Sequence, residues 1–408
     1  MNAKLTGGFR AVTASLALAG AALAGASSTA TATAATAVGA TAVVRDGSPD
    51  RTIAFIANGG SGTVTLVNTA TGAVLKAVAV GTDPDAVAIT PDGKTAYVAN
   101  SYFRTGEPGT VTPIDTATGT ALPAITVGAY PSAIAITPGG KTAYVMNAED
   151  DNVTPIDTAT GTALPAIPVG AGPSAIAITP DGKTVYVVNI NGNIGLRGSG
   201  ATPAAGGSVT PISTATNTAL KAIPVGVQPN AIAITPDGKT AYVVNGGGTV
   251  TPIRTATNTA LKAIKVGGNP DAIAITPDGR TAYVVNHNSL SVTPIRTATN
   301  TAGKPIRVGR RPDAIAITPD GRTAYVVDSY VRTGQPGTVT PIRTATNTAL
   351  RPIKVGYDAR AIAITPNGKT VYVANAGGYH VTPIRTATNT ALPAIKVGTH
   401  PDAIAITP

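Results

Sequence analysis

The sequence predicts an all-β ring, a β-propeller of four-stranded antiparallel blades, and three observations predict it. The phrase AIAITP (AVAITP at its first appearance) begins at Ala86, Ala133, Ala175, Ala231, Ala272, Ala314, Ala361 and Ala403. Its shortest spacings are 41 and 42 residues, a period that suits one propeller blade. The 408 residues include 46 Gly and 33 Pro, far too many for a helical bundle and right for a chain of turns. The two chain ends also complement each other: residues 52–80 read as the last three strands of a unit, and the chain stops after one more first strand at Pro408. Seven complete units and this composite one make eight blades. In a rival reading, residues 40–45 (ATAVVR) supply a degenerate first strand and the C-terminal strand is spare; a ring of seven blades is the alternative count.

In the unit that starts at Ala231, strand a is AIAIT, followed by the turn PDGK, strand b is TAYVVN, strand c is TVTPI, and strand d is KAIKV after the turn RTATNTA. Pro-Asp-Gly between apolar runs is a turn because Pro presets one φ and Gly accepts a positive one. The strands are almost continuously apolar, as expected where neighbouring blades cover both faces. Pro113, Pro155, Pro211, Pro252, Pro294, Pro341 and Pro383 recur inside strand c, which predicts a bulge or an unpaired N–H position there.

Residues 1–34, with Lys4 and Arg10 before the small apolar run Ala11–Ala26 and several A-x-A sites, read as a signal peptide, and residues 35–49 as a flexible linker to a single propeller domain at 50–408. The expected location is secreted or cell-surface, with no integral membrane span. Zero Cys excludes thiolate metal sites and Cys nucleophiles.

The phrases YVAN (Tyr97–Asn100), YVMN (Tyr144–Asn147) and YVVN (Tyr186–Asn189), with the later VG-x-x-P-x-A-I-A-I-T-P-D-G-K, resemble the YVTN family of β-propeller repeats, the YncE-type extracytoplasmic proteins. The resemblance covers about residues 50–408. It departs at the strand c prolines and at Asp328, which stands once in place of Asn. It implies a secreted propeller used for binding or surface structure. Related propeller groups include lactonases and electron-transfer subunits, so the fold alone does not choose.

The a–b and c–d turns are monotonous, whereas the b–c and d–a loops on the opposite face diverge, up to the insertion Ile190–Ser208. Seven Tyr hold one strand b position and read as packing residues. Tyr102, Tyr130, Tyr330, Tyr357 and Tyr379 fall in the divergent loops, as do His287, His380 and His400. With Arg104 and Arg332, the five tyrosines and His380 form a candidate binding set, since loops on a rigid scaffold commonly carry function. The plainer alternative is that each Tyr packs over its own blade.

Where each strand a begins stand Asp85, Ser132, Ser174, Asn230, Asp271, Asp313, Arg360 and Asp402, at the expected mouth of the central channel. Asp85, Asp271, Asp313 and Asp402 are candidate ligands for a hard cation such as Ca²⁺. Local turn chemistry explains the same residue types, and Arg360 would oppose a metal.

Charge is uneven: residues 1–230 carry 11 Lys/Arg and 12 Asp/Glu, residues 231–408 carry 19 and 8. Asp115 and Asp157 at the end of strand c become Arg254, Arg296, Arg343 and Arg385, and Thr126 and Pro168 in strand d become Lys265, Arg307, Lys354 and Lys396. Such a band attracts polyanions, whereas the plainer reading is a solvated exterior. The reading favoured is a noncatalytic binding or surface scaffold, monomeric, for an anionic envelope polymer, glycan or nucleic acid, with protein partners left open. The alternative is a metal-assisted hydrolase or lyase of the lactonase or antibiotic-lyase kind, for which His380, His400, Asp402 and Asp85 are the candidates.

Overall fold

The computed structural model describes residues 52–102, 108–191, 206–329 and 335–408; the expected signal peptide and linker lie outside them. These residues form eight antiparallel sheets. Blades 1 to 7 begin with strands a at Pro84–Ile89, Pro131–Ile136, Pro173–Ile178, Pro229–Ile234, Pro270–Ile275, Pro312–Ile317 and Ala359–Ile364. Blade 8 takes strands b, c and d from Ile53–Asn58, Thr63–Asn68 and Val74–Ala79, and strand a from Pro401–Ile406. Ala54 pairs with Ile406 and Ala57 with Ala403, so the C-terminal strand closes the ring. The rival in which residues 40–45 supply that strand is thereby overturned; those residues lie outside the described ones. No helix among the described residues is long and apolar enough to cross a membrane.

Alternation within each strand explains the continuous apolar runs. In blade 4, Ala231, Ala233, Tyr242 and Val244 pack against Ile273, Ala282 and Val284 of blade 5. The intervening Ile232, Ile234, Ala241 and Val243 face Ala175, Tyr186 and Val188 of blade 3. A period of two therefore serves two seams at once, with no face left for water.

The strand b asparagine is a buried bracket. Asn245 Nδ2 donates to Thr249 Oγ1 at 3.1 Å and Thr251 Oγ1 at 3.0 Å, tying strand b to strand c. In blade 1, Asn100 Oδ1 accepts from the Gly81 N–H at 3.0 Å. A Cβ at Gly81 would stand 2.6 Å from Asn100 Cβ, which is why the chain writes V-G there.

The prolines make no bulge but stand at the expected unpaired N–H position, on the side of strand d. Strand c stays continuous, and Pro252 still pairs with Tyr242. Because backbone N–H and C=O of one residue point to the same side of a strand, the missing N–H of Pro252 faces strand d, and its carbonyl accepts from Leu261 N–H at 2.8 Å. Strand d is accordingly not the single run KAIKV but two pairs, Thr259–Ala260 and Ile264–Lys265, separated by Leu261–Ala263. Blade 8 has Leu66 at the proline position, and its strand d runs unbroken over Val74–Ala79 with one register shift.

Candidate functional site

The mouth residues sit in neither turn nor regular strand. In blade 5, Pro270 pairs with Asn286 and Ala272 with Val285, so Asp271 is the extra residue of a β-bulge. The same register shift falls at Asp85, Ser132, Ser174, Asn230, Asp313, Arg360 and Asp402. A bulge re-aims a side chain, here on the innermost strand of every blade. The position before the strand a proline has positive φ at Asp83, Tyr130, Gln228, Asn269, Arg311 and His400, a conformation that costs L-residues free energy.

The bonds made here run between blades as well as locally: Asn269 Nδ2 donates to Asp271 Oδ2 two residues on, at 3.1 Å. Ser174 Oγ donates to the Pro229 carbonyl at 2.9 Å. Asn230 Nδ2 donates to Asp271 Oδ1 at 2.8 Å. His287 Nδ1 lies 2.7 Å from Asp313 Oδ1 and 3.4 Å from Asp271 Oδ2, clasping blades 5 and 6. The bond to Asp313 raises the His287 pKa, against the opposing effect of burial. Arg360 pairs with Asp358 at 2.5 Å and with Asp402 at 3.2 Å.

The four candidate aspartates therefore do not share one site. Asp271 and Asp313 group with His287, and Asp85 and Asp402 group with Asp83, each set with ligand atoms within 4.8 Å of one another. Sequence reasoning set His287 aside and weighed His380 and His400 instead. His380 is the first residue of strand c rather than a loop residue, and its Nδ1 bonds the Gly378 carbonyl at 2.7 Å. His400 meets Tyr379 edge to face at 5.7 Å.

Of the loop aromatics, Tyr357 and Tyr379 are 49% and 43% exposed, whereas Tyr102 and Tyr130 are half-buried. Arg104, Tyr330 and Arg332 lie outside the described residues.

The outer wall carries the charge. Arg254, Arg296, Arg343 and Arg385 end strands c, and all are exposed. Lys265, Arg307, Lys354 and Lys396 pair with the opposite ends of the same strands, at Thr249, Ser291, Thr338 and His380. These are two bands rather than one, roughly 17 Å apart at about 3.4 Å per residue. Lys262, Lys304 and Arg351 stand between them where strand d is interrupted, and no Asp or Glu occurs from strand c through strand d of blades 4–7. The cations of the a–b turns differ: Lys239, Arg280 and Arg322 each face an Asp two residues earlier, at 3.5, 3.8 and 3.9 Å.

The strand b tyrosines do more than pack. Tyr242 OH donates to Asn300 Oδ1 in the c–d turn of the next blade at 2.6 Å, and Tyr144, Tyr186, Tyr283 and Tyr325 do likewise with Asn217, Asn258, Asn347 and Asn389. Burial pushes the Tyr242 hydroxyl up to about 12, so it remains a donor. The signal in the sequence is that this turn reads T-A-T-G in blades 8, 1 and 2 and T-A-T-N in blades 3–7.

No family model matches the chain, and no curated protein matches it. Solved structures do. Hydrazine synthase of Kuenenia stuttgartiensis is 25% identical with a TM-score of 0.58, over 76% of this chain and 97% of that one. Dihydro-heme d1 dehydrogenase NirN, in complex with DHE, is 13% identical with a TM-score of 0.69, over 86% and 74%. A Bacteroides fragilis protein described as a candidate 6-phosphogluconolactonase is 20% identical with a TM-score of 0.59, over 88% and 99%. The chain is an eight-bladed β-propeller, a fold it shares with proteins named as a synthase, a dehydrogenase and a candidate lactonase.

Proposed function

We propose that this chain is a noncatalytic binding scaffold of the YVTN type, exported to the cell surface or beyond, whose outer wall holds a polyanion such as an anionic envelope polymer, an acidic glycan or a nucleic acid. One observation carries the reading: the wall of blades 4–7 presents cations at both ends, and that of blades 4–6 in the middle as well, with no carboxylate among them, while the same wall of blades 1 and 2 carries Asp115 and Asp157. A cationic surface made only for solubility has no reason to gather on four consecutive blades, whereas a linear polyanion gains from a continuous track.

The test converts Arg254, Arg296, Arg343 and Arg385 to Asp, the residue blades 1 and 2 already hold there. Affinity for teichoic acid, acidic glycan or single-stranded DNA should fall broadly, and the dependence of log K on log salt should flatten, because fewer counterions are released. Unchanged affinity and slope, or no binding by the parent, would return the charge to solubility.

A further inference from the structure

Two clefts open between neighbouring blades at the turn face, both at seams where glycine replaces the turn asparagine. One, of about 520 Å³, lies between blades 1 and 2 beside Tyr97 and Thr158. The other, of about 720 Å³, lies between blades 7 and 8 and is bounded by Gly72, Tyr372 and Ile395. At the bonded seams the asparagine amide occupies the space below the tyrosine hydroxyl. At blade 8 that amide is missing, Tyr372 OH donates instead to the Thr69 carbonyl at 3.0 Å, and the volume stays open.

The charges lining the two clefts differ: the first holds Asp92 and Lys94, the second Lys369 and Arg385 with no carboxylate. Beside Tyr97, Lys94 faces Asp92 at 3.6 Å, and the residue that ends strand c is Asp115. In the blade 7–8 cleft the strand c end is Arg385, and Asn367 stands where five other blades have the turn Asp. Asn367 keeps the turn: its Oδ1 accepts from Thr365 Oγ1 at 2.8 Å and from the Lys369 N–H at 3.0 Å, as Asp237 does for Thr235 and Lys239. The substitution removes only the charge. No carboxylate pairs with Lys369 among the described residues, and none lines the cleft.

We propose that the blade 7–8 cleft binds a small amphipathic anion, its carboxylate or phosphate head held by Lys369 and Arg385 and its short apolar body laid on Leu392 and Ile395. The volume suits a small ligand. The site goes beyond the polyanion wall, because it requires an apolar floor beside a pair of cations rather than repeated charge. A ligand there touches both blade 7 and the blade that joins the two chain ends, so binding would stabilise the closed ring.

The test titrates the full chain with octyl phosphate, octanoate, inorganic phosphate and octanol, by calorimetry and melting temperature. The two amphipathic anions should bind saturably and raise the melting temperature, with their ranking separating a phosphate from a carboxylate ligand. Inorganic phosphate and octanol should each bind about tenfold more weakly or worse. Gly72→Asn restores the plug that five seams already carry; a Cβ there meets only Ile395 Cδ1 at 3.6 Å, so the variant should fold, with affinity reduced tenfold or more. Asn367→Asp should cost about tenfold, and Gly161→Asn at the other cleft nothing. The triple variant of Arg254, Arg296 and Arg343 to Asp should keep octyl phosphate binding while weakening polyanion binding, so the two readings fail separately. Absence of saturable binding by both anions, equal affinity for inorganic phosphate and octyl phosphate, or unchanged affinity in Gly72→Asn and Asn367→Asp would each overturn the proposal.

Discussion

Two arcs of the ring are held differently. From blade 2 round to blade 7, each of five seams carries a hydrogen bond from a strand b tyrosine to a turn asparagine of the next blade. At the three seams flanking blades 8 and 1 the turn residue is Gly72, Gly119 or Gly161, and the facing residue is Tyr372, Phe55 or Tyr97. Both residue types satisfy the same backbone demand: φ is +52 at Asn389 and +73 at Gly72. Only Asn adds a side chain that reaches the neighbouring blade. The difference teaches that a repeat can keep its geometry while losing an interaction, and that here the loss falls where the ring is closed.

The largest effect should come from breaking the arc that lacks the bonds. Deleting Ala403–Pro408 removes the inner strand of blade 8 and leaves Ile53–Asn58 unpaired on one side. The melting temperature should drop by roughly 10 °C or more, since a largely buried strand is lost and an edge exposed. A truncated chain melting like the parent would show that closure contributes little.

The bonded arc has its own weak point in blade 6. Asp328 takes the bracket position, fully buried, accepting from Thr338 Oγ1 at 3.1 Å and Thr340 Oγ1 at 2.6 Å. Burial pushes its pKa to about 7. A carboxyl raised above its unfolded value favours folding fully only below about pH 4, and that contribution is lost as pH rises through 7, at most roughly 4 kcal/mol. Asp328→Asn should therefore stabilise the chain at pH 8 by up to that amount and much less at pH 4, read from urea midpoints. His287, raised by Asp313, loses its contribution in the same direction and should account for the remaining slope. A parent whose stability is flat from pH 4 to 8 would contradict this.

The smallest effects compare the seams directly. Tyr242→Phe should cost about 1–2 kcal/mol, because it leaves the Asn300 carbonyl oxygen without its donor, while Tyr97→Phe should cost a few tenths, its contact to the Thr158 carbonyl being 3.5 Å long. Gly161→Asn should gain up to about 1 kcal/mol if the bond forms. Equal costs for the two tyrosines would erase the distinction between the arcs.

The repeat phrase, its spacing and the complementary ends determined the eightfold ring, because each unit is apolar on both faces and must be covered by a neighbour. The recurrent prolines also announced a disturbed ladder. The sequence did not say which strand would break, since that depends on the side to which the missing N–H points; blade 8, with Leu66 and an unbroken outer strand, makes the cause plain. It placed Arg254, Arg296, Arg343 and Arg385 on one track, yet it merged them with Lys265 and its equivalents, which pairing puts at the far end of the strand.

His287 illustrates the remaining limit. One-dimensional reading saw a lone loop histidine and four aspartates spaced by whole repeats, and grouped the aspartates by type. Ring closure places blade 8 beside blade 1, and the bulge turns each mouth residue towards its neighbour, so Asp313 finds His287 and Asp402 finds Arg360. Period and composition fix which blades exist, because burial is a property of each repeat. Which side chains meet across a seam, and which seam stays open above Gly72, follows from the bulge, the register and the closing strand, which exist only once the ring has formed.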